Sequence, residues 1–379
     1  MRPFIPQDGG VTDRRTFLTG VAGAGFVALV GCGGPDQPQV VTPGSKAPTA
    51  RRRSANVRVA GTVADGLNVP WGIAFLPDGR ALVAQRDTGS IVVVDPEGSG
   101  QEKVRELGDV PGSVGRPGGE AGLLGLALHP DDEAQLFAFL STSEDERIVR
   151  IALEGDRLGD IEPILTGLPT GGRHHGGRLL FGPGGHLYVG TGEAGQPELA
   201  QNRSSLGGKI LRITPDGKPV DGNPFDDEIW SWGHRNVEGL AFDDDDRLWA
   251  CEFGDRDVDE LNLIEKGGNY GWPEFEGQSD DPDYITPKVT WPVGDCSPSG
   301  MAITQSTAFV AALRGERLWS VPLDGADVGE PVDHFAGEYG RLRTVVVAPD
   351  ESLWVTTSNT DGRGDQRDGD DRILRVVLD

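Results

Sequence analysis

Short alternating runs of apolar residues recur along the chain, each entered through a turn rich in Pro, Asp and Gly. Phe75-Leu76-Pro77-Asp78-Gly79 leads into Ala81-Leu82-Val83, and Leu128-His129-Pro130-Asp131-Asp132 into Leu136-Phe137-Ala138. Phe181-Gly182-Pro183-Gly184-Gly185 precedes Leu187-Tyr188-Val189, and Phe242 with four aspartates precedes Leu248-Trp249-Ala250. A degenerate copy runs from Met301 through Ala308-Phe309-Val310, and a last one from Val347 through Pro349-Asp350 to Leu353-Trp354-Val355. The turns supply residues that tolerate tight hairpins, and the period of two marks half-buried strands. Most copies are followed by another alternating strand, such as Ile91–Val94, Ile148–Ile151, Leu211–Ile213 and Leu318–Val321. Copies stand about 45 to 60 residues apart, the length of one four-stranded blade. The pattern predicts an all-β, six-bladed β-propeller of four-stranded antiparallel blades, with Val57–Ala60 and Ile373–Val376 closing the ring within one blade.

Composition agrees with many short strands: 57 of 379 residues are Gly and 27 are Pro. The formal charge of −25 argues against nucleic acid as a partner, because phosphate binding draws on clustered Lys and Arg. The one dense basic run, Arg51–Arg53, sits in a linker. At the N-terminus, Arg14-Arg15 with Thr16-Phe17-Leu18 fits a twin-arginine export signal. The apolar stretch Val21–Val30 falls short of the roughly 20 residues a bilayer span needs. Leu29-Val30-Gly31-Cys32 resembles a lipobox, with Cys32 as the acylated residue; a plain secretory signal with an incidental cysteine is the alternative. Residues 1–31 thus read as a signal peptide, 32–55 as a Pro/Gly/Ser/Thr tether and 56–379 as the propeller. The chain is expected to be exported and held at a membrane only through its N-terminal lipid. Cys251 and Cys296 have no CxxC spacing or His/Cys neighbourhood that suggests zinc, and read as two buried thiols, although an oxidising compartment permits pairing.

Propellers bind ligands on loops over the central channel, and four polar stretches stand out there. Arg173-His174-His175-Gly176-Gly177-Arg178 offers an imidazole able to take a proton near neutral pH beside glycines that admit a ligand. A loop histidine alone is more often structural. Trp232-Gly233-His234-Arg235-Asn236-Val237-Glu238 offers donors for carboxylate or quinone oxygens, or a salt-bridged loop. Glu252 through Asn262 brings carboxylates and turn carbonyls that suit a hard cation such as Ca²⁺, or simple solvation. Gly340-Arg341-Leu342-Arg343 places two guanidiniums on one strand face, for an anion or for solvent.

The combination resembles one family. Gly-Gly-Glu120-Ala-Gly-Leu-Leu-Gly-Leu-Ala-Leu-His-Pro, His174-x-Gly-Gly-Arg-Leu, Gln201 through Gly-Lys209-Ile-Leu-Arg, Gly-His-Arg235-Asn236, Asp259-Glu-Leu-Asn-Leu-Ile with Gly-Gly-Asn-Tyr-Gly-Trp-Pro, and Ser-Pro-Ser-Gly-Met301 occur in the order of the glucose/sorbosone dehydrogenases that use pyrroloquinoline quinone (PQQ). The resemblance covers about residues 57–379 and implies a six-bladed fold, oxidation of an aldose sugar at C1, PQQ and Ca²⁺ as cofactors, and an electron acceptor that the sequence does not identify. It implies His174 as general base and Arg235 at the reactive quinone carbonyl. Asn236 and Glu238 fall on the PQQ side, and Glu120 in the pocket wall. Arg314, Arg341 and Arg343 fall at the cofactor carboxylates, and the main-chain carbonyls of Gly254 and Asp255 at the metal. Phe253, Asp255, Arg173 and Cys296 depart from the glucose enzymes and bear on substrate more than on cofactor. Two other functions remain open on sequence: a non-catalytic binding propeller that has lost PQQ, and a Ca²⁺-dependent lactonase.

Overall fold

The structure, a computed structural model, describes residues 56–379; the export signal, Cys32 and the tether expected before them lie outside the described residues. Six antiparallel sheets follow one another along the chain. The first blade comprises Pro70–Phe75, Ala81–Gln85, Ser90–Val94 and Val104–Asp109. The second comprises Leu123–His129, Asp132–Ser141, Glu146–Leu153 and Leu158–Leu168, and the third Gly176–Gly182, His186–Thr191, Lys209–Ile213 and Ile229–Trp232. The fourth holds Val237–Phe242, Leu248–Glu252, Val258–Leu263 and Val289–Pro292. The fifth holds Pro298–Thr304, Thr307–Ala312 and Arg317–Asp324, its outer edge divided between Asp327–Val328 and Val332–His334. The sixth begins with Leu342–Val347, Leu353–Thr357 and Ile373–Leu378, and takes its outermost strand, Val57–Ala64, from the other end of the chain.

That last pairing, with Val57 opposite Leu378 and Val59 opposite Val376, closes the ring as the terminal strands predicted. The first strand of each blade packs on the first strand of the next, and the sixth returns to the first. Burial follows from this geometry. Inner strands such as Pro70–Phe75 are enclosed on both faces and read as continuous apolar runs, whereas the outer strand Leu158–Leu168 is half-buried or exposed along almost all its length. Cores form between blades: Trp71 packs with Phe137, Phe139 and Val189, and Trp249 with Val310 and Val321. Each such large apolar side chain contributes about 1.5–3 kcal/mol by leaving water.

One irregularity recurs six times. Every inner strand carries a bulge near its start, at Pro70/Ile73, Leu123/Leu126, Gly176/Leu179, Val237/Gly239, Pro298/Met301 and Leu342/Val345. A bulge bends the strand and re-aims a side chain, here toward one end of the channel. At the position where neighbouring blades press together, four of the six bulges hold glycine (Gly72, Gly125, Gly239, Gly300); a Cβ on Gly125 would stand 2.1 Å from the Gly177 carbonyl oxygen. The other two use the side chain instead. Arg178 donates from Nε to the Glu238 carbonyl at 2.6 Å, and the Thr344 hydroxyl donates to the Trp71 carbonyl at 2.5 Å.

Candidate functional site

In an antiparallel blade, the loop entering the first strand and the loop leaving the second lie at the same end of the channel. The Pro/Asp/Gly hairpin turns therefore collect at the opposite end. At the first end the loops enclose a cavity of about 220 Å³ to which all six blades contribute: Trp71 and Arg86, Glu120 and Leu124, His174–Gly176, Asn236 with Glu238 and Phe253, Ser297 with Leu313 and Arg314, and Arg341 with Arg343 and Arg363. Larger hollows of about 400 and 410 Å³ lie between blades at the hairpin end. Their charged side chains include surface pairs, Arg375 with Asp350 and Arg80 with Asp78.

Three histidines near the cavity each bond a buried carboxylate, and what happens at the second nitrogen separates them. His234 is occupied on both sides, by Glu252 at 2.7 Å and by the Ser231 hydroxyl at 2.8 Å. His175 holds Glu146 at 2.5 Å through Nδ1, while its Nε2 is buried without a partner. His174 holds Glu193 Oε1 at 2.6 Å through Nδ1, and its Nε2 is left to the cavity. The His174 backbone turns through a φ of +60°. The two adjacent rings part, one to the third blade's carboxylate and one to the second's.

The His174 backbone is locked from several directions. Its N–H donates to Glu120 Oε2 at 2.8 Å and its carbonyl accepts from Ala194 at 3.1 Å. A Cβ at Gly192 would lie 1.9 Å from that carbonyl, so only glycine fits there. Glu193, fully buried, is itself held by the Gln196 N–H at 2.8 Å. Asn236 accepts from the Gly176 N–H at 2.8 Å and donates to Glu238 at 3.2 Å, tying the histidine loop to the fourth blade.

The wall carries five arginines, Arg86, Arg314, Arg341, Arg343 and Arg363, against two carboxylates, Glu120 and Glu238. This is a reversal of sign in a chain of net charge −25. Arg341 and Arg343 are buried, so the reading of two solvated strand charges is corrected: both line the cavity. Asp361, behind the wall, bonds Arg341 at 3.0 Å and lies 3.5 Å from Arg343, which also reaches Glu238 at 3.2 Å. Burial alone would raise the Asp361 carboxyl; Arg343 and Arg341 more than offset it and hold it below the ordinary value. Glu120 is likewise held low despite burial, by the His174 N–H and by Arg363 at 2.8 Å. Arg178 is buried against Trp71, which lines the cavity, its guanidinium 4.1 Å from the ring centre, and burial pushes its pKa down to about 10. Arg314 is exposed at the rim and makes no ion pair among the described residues.

Arg235, Gly254 and Asp255 lie beside this wall rather than in it. Arg235 bonds Asp255 at 3.1 Å, stacks 5.2 Å over Trp272, and keeps a buried Nε without a partner. The loop that follows is wound around one carboxylate: Glu276 Oε1 accepts from the N–H groups of Asp255, Arg256, Asp257 and Val258 at 2.8–3.1 Å. In a trans peptide the carbonyl is antiparallel to the N–H of the same unit. The carbonyls of Gly254 and Asp255 are therefore turned away from Glu276, and neither accepts a bond among the described residues. Two free, fixed carbonyls suit a hard cation. Among the described residues no group of three or more His, Cys, Asp or Glu side chains is disposed to hold a metal. Cys251 and Cys296 are free and buried.

The sequence reading missed Glu193, Glu146, Arg86 and Asp361. Glu193 had one available signal: a carboxylate between glycines, Gly192-Glu193-Ala194-Gly195, directly after an alternating strand.

Comparison with known proteins follows the same lines. The glucose/sorbosone dehydrogenase family profile matches residues 67–374. The chain is similar to the PQQ-bound form of an aldose sugar dehydrogenase from Streptomyces coelicolor, with a TM-score of 0.82, 48% identity, and coverage of 86% of this chain and 99% of that one. It is 31% identical to an aldose sugar dehydrogenase of Escherichia coli strain K12 over 356 residues, 84% of this chain and 94% of the relative. It is 32% identical to quinoprotein glucose dehydrogenase B of Acinetobacter calcoaceticus over 259 residues, 59% of this chain and 54% of that protein.

Proposed function

Because the chain belongs to the glucose/sorbosone dehydrogenase family, we propose that it is a PQQ- and Ca²⁺-dependent dehydrogenase that oxidises an aldose at C1 to the lactone. The observation that carries this reading is the His174–Glu193 pair, whose free Nε2 opens into a cavity walled by arginines. Bound PQQ supplies a quinone able to take a hydride, and Ca²⁺ a Lewis acid at its carbonyl.

The chain supplies binding, orientation and proton removal. Arg314, Arg341 and Arg343 would hold the cofactor's carboxylates, with Asn236 and Glu238 on the same wall. The carbonyls of Gly254 and Asp255 would hold the metal. Arg235, beside them, would donate to oxygen that gains negative charge. Glu193 keeps the imidazole proton on Nδ1, so that Nε2 presents a lone pair. That nitrogen takes the proton of the anomeric hydroxyl as C1–O becomes the lactone carbonyl. Glu120 fixes the His174 backbone and lines the sugar side. The electrons leave to an external acceptor. The test is calorimetric titration of apoprotein with PQQ: binding is expected, and tighter with Ca²⁺ than with chelator. No binding in either buffer leaves a propeller that has lost the cofactor.

Export and anchoring complete the proposal. A Cys32→Ser variant is expected to move the protein from the membrane fraction to a soluble one, and Arg14→Lys with Arg15→Lys to retain it in the cytoplasm. Unchanged fractionation in both variants would contradict the lipoprotein reading.

A further inference from the structure

Arg341, Arg343 and Arg363 each face a carboxylate: Asp361, Glu238 and Glu120 in turn. Arg86 is different. It follows the second strand of the first blade, is 1% exposed, and lines the cavity. Its Nε donates to Asp87 at 2.7 Å, but Nη2 is buried with no acceptor. An unmatched buried guanidinium nitrogen is costly, and native structures rarely keep one without a reason.

The position is built rather than accidental. The Arg86 carbonyl accepts from the Leu123 N–H at 3.2 Å. Gly115 and Gly122, in the connection to the second blade, press on it so closely that a Cβ on either would stand 2.2 Å from that oxygen. The side chain runs past Gly122, whose Cβ would stand 2.8 Å from Arg86 Cγ, to the cavity wall. Burial first, and the repulsion of Arg86 after it, hold the Arg343 pKa below its ordinary value against the pull of Glu238. Two guanidiniums crowded at one wall, one of them incompletely bonded, call for an anion between or in front of them.

We propose that Arg86 is a further cofactor-binding residue, its terminal nitrogens donating to a carboxylate of the quinone held in the cavity. This rests on the PQQ reading above. The first blade then contributes a charged group to a site whose other proposed cofactor arginines come from the fourth, fifth and sixth blades.

The experiment titrates PQQ into the wild-type apoprotein and Arg86→Lys by calorimetry, with melting temperatures measured without ligand and sugar KM measured at saturating PQQ. Lysine keeps a charge beside Asp87 but lacks the forked terminal nitrogens. The expected result is PQQ affinity at least about tenfold weaker in Arg86→Lys, with the ligand-free melting temperature within about 2 °C of the parent. Equal affinity overturns the assignment of Arg86 while leaving the cofactor reading intact. So does a rise in sugar KM with PQQ affinity unchanged, which would move Arg86 to the substrate. A ligand-free protein that melts well below the parent makes Arg86 structural and also overturns it. Failure of the wild type itself to bind PQQ overturns the cofactor reading and this inference with it.

Discussion

Replacing His174 with Ala lowers sugar oxidation by at least about 100-fold at saturating PQQ, the usual range for a positioned base being 10²–10⁴. The protein still folds and PQQ affinity stays close to the parent's; buried Glu193 loses the imidazole and keeps the Gln196 N–H, a local cost in stability like that of the neighbouring variant. His175→Ala stays within about tenfold in rate, since its Nδ1 is taken by Glu146 and its Nε2 is enclosed. Its loss shows in stability instead, because Glu146 would keep only the Thr170 hydroxyl at 2.7 Å. Steady-state rates with a saturating dye, beside ligand-free melting curves, separate the two. A dead His175→Ala with an active His174→Ala would place the base one residue along.

Arg343→Met produces the largest change in stability and binding together. Arg343 lies between Glu238 and Asp361 and also bonds the Ser358 hydroxyl at 3.1 Å. Removing it leaves Glu238 with only the Ser299 hydroxyl and the Asn236 amide and Asp361 with Arg341 as its remaining cation, and breaking a buried pair from one side typically costs about 3–5 kcal/mol. Denaturant unfolding of the apoprotein should show a loss of that order. PQQ affinity should fall about 100-fold or more in the fraction that remains folded, as a charge-assisted donor is lost from the wall. Arg343→Lys should recover part of the stability and little of the affinity, since a single ammonium cannot serve Glu238, Asp361 and a ligand at once. Equal unfolding midpoints for Arg343→Met and the parent would contradict this network.

The propeller was legible because its signal is local and repeated. Phe75-Leu76-Pro77-Asp78-Gly79 and its counterparts encode hairpins within a few residues of one another, and alternation marks the strands on either side. The ring closure was legible because Val57–Ala60 and Ile373–Val376 were the two strand-like runs left at the ends. The wall of the site was harder to read, because its pairs span blades. Arg343 meets Glu238 across 105 residues, and Glu120 meets Arg363 across 243. No periodicity links such positions. Arg86 and Asp361 sit in stretches that look like ordinary polar loops, Gln85-Arg86-Asp87-Thr88 and Thr360-Asp361-Gly362. Their burial comes from neighbouring blades closing over them. The six bulges were invisible for a related reason: a one-residue shift in register leaves the apolar pattern intact while changing which face a side chain such as Arg343 takes.

The most direct test of the account is sugar-driven dye reduction by purified apoprotein across a panel of aldoses, with and without added PQQ in the presence of Ca²⁺. The account predicts reduction with at least one aldose only when PQQ is supplied, with the lactone as product. PQQ bound to saturation but no aldose oxidised, or sugar oxidation equal without the cofactor, would contradict it.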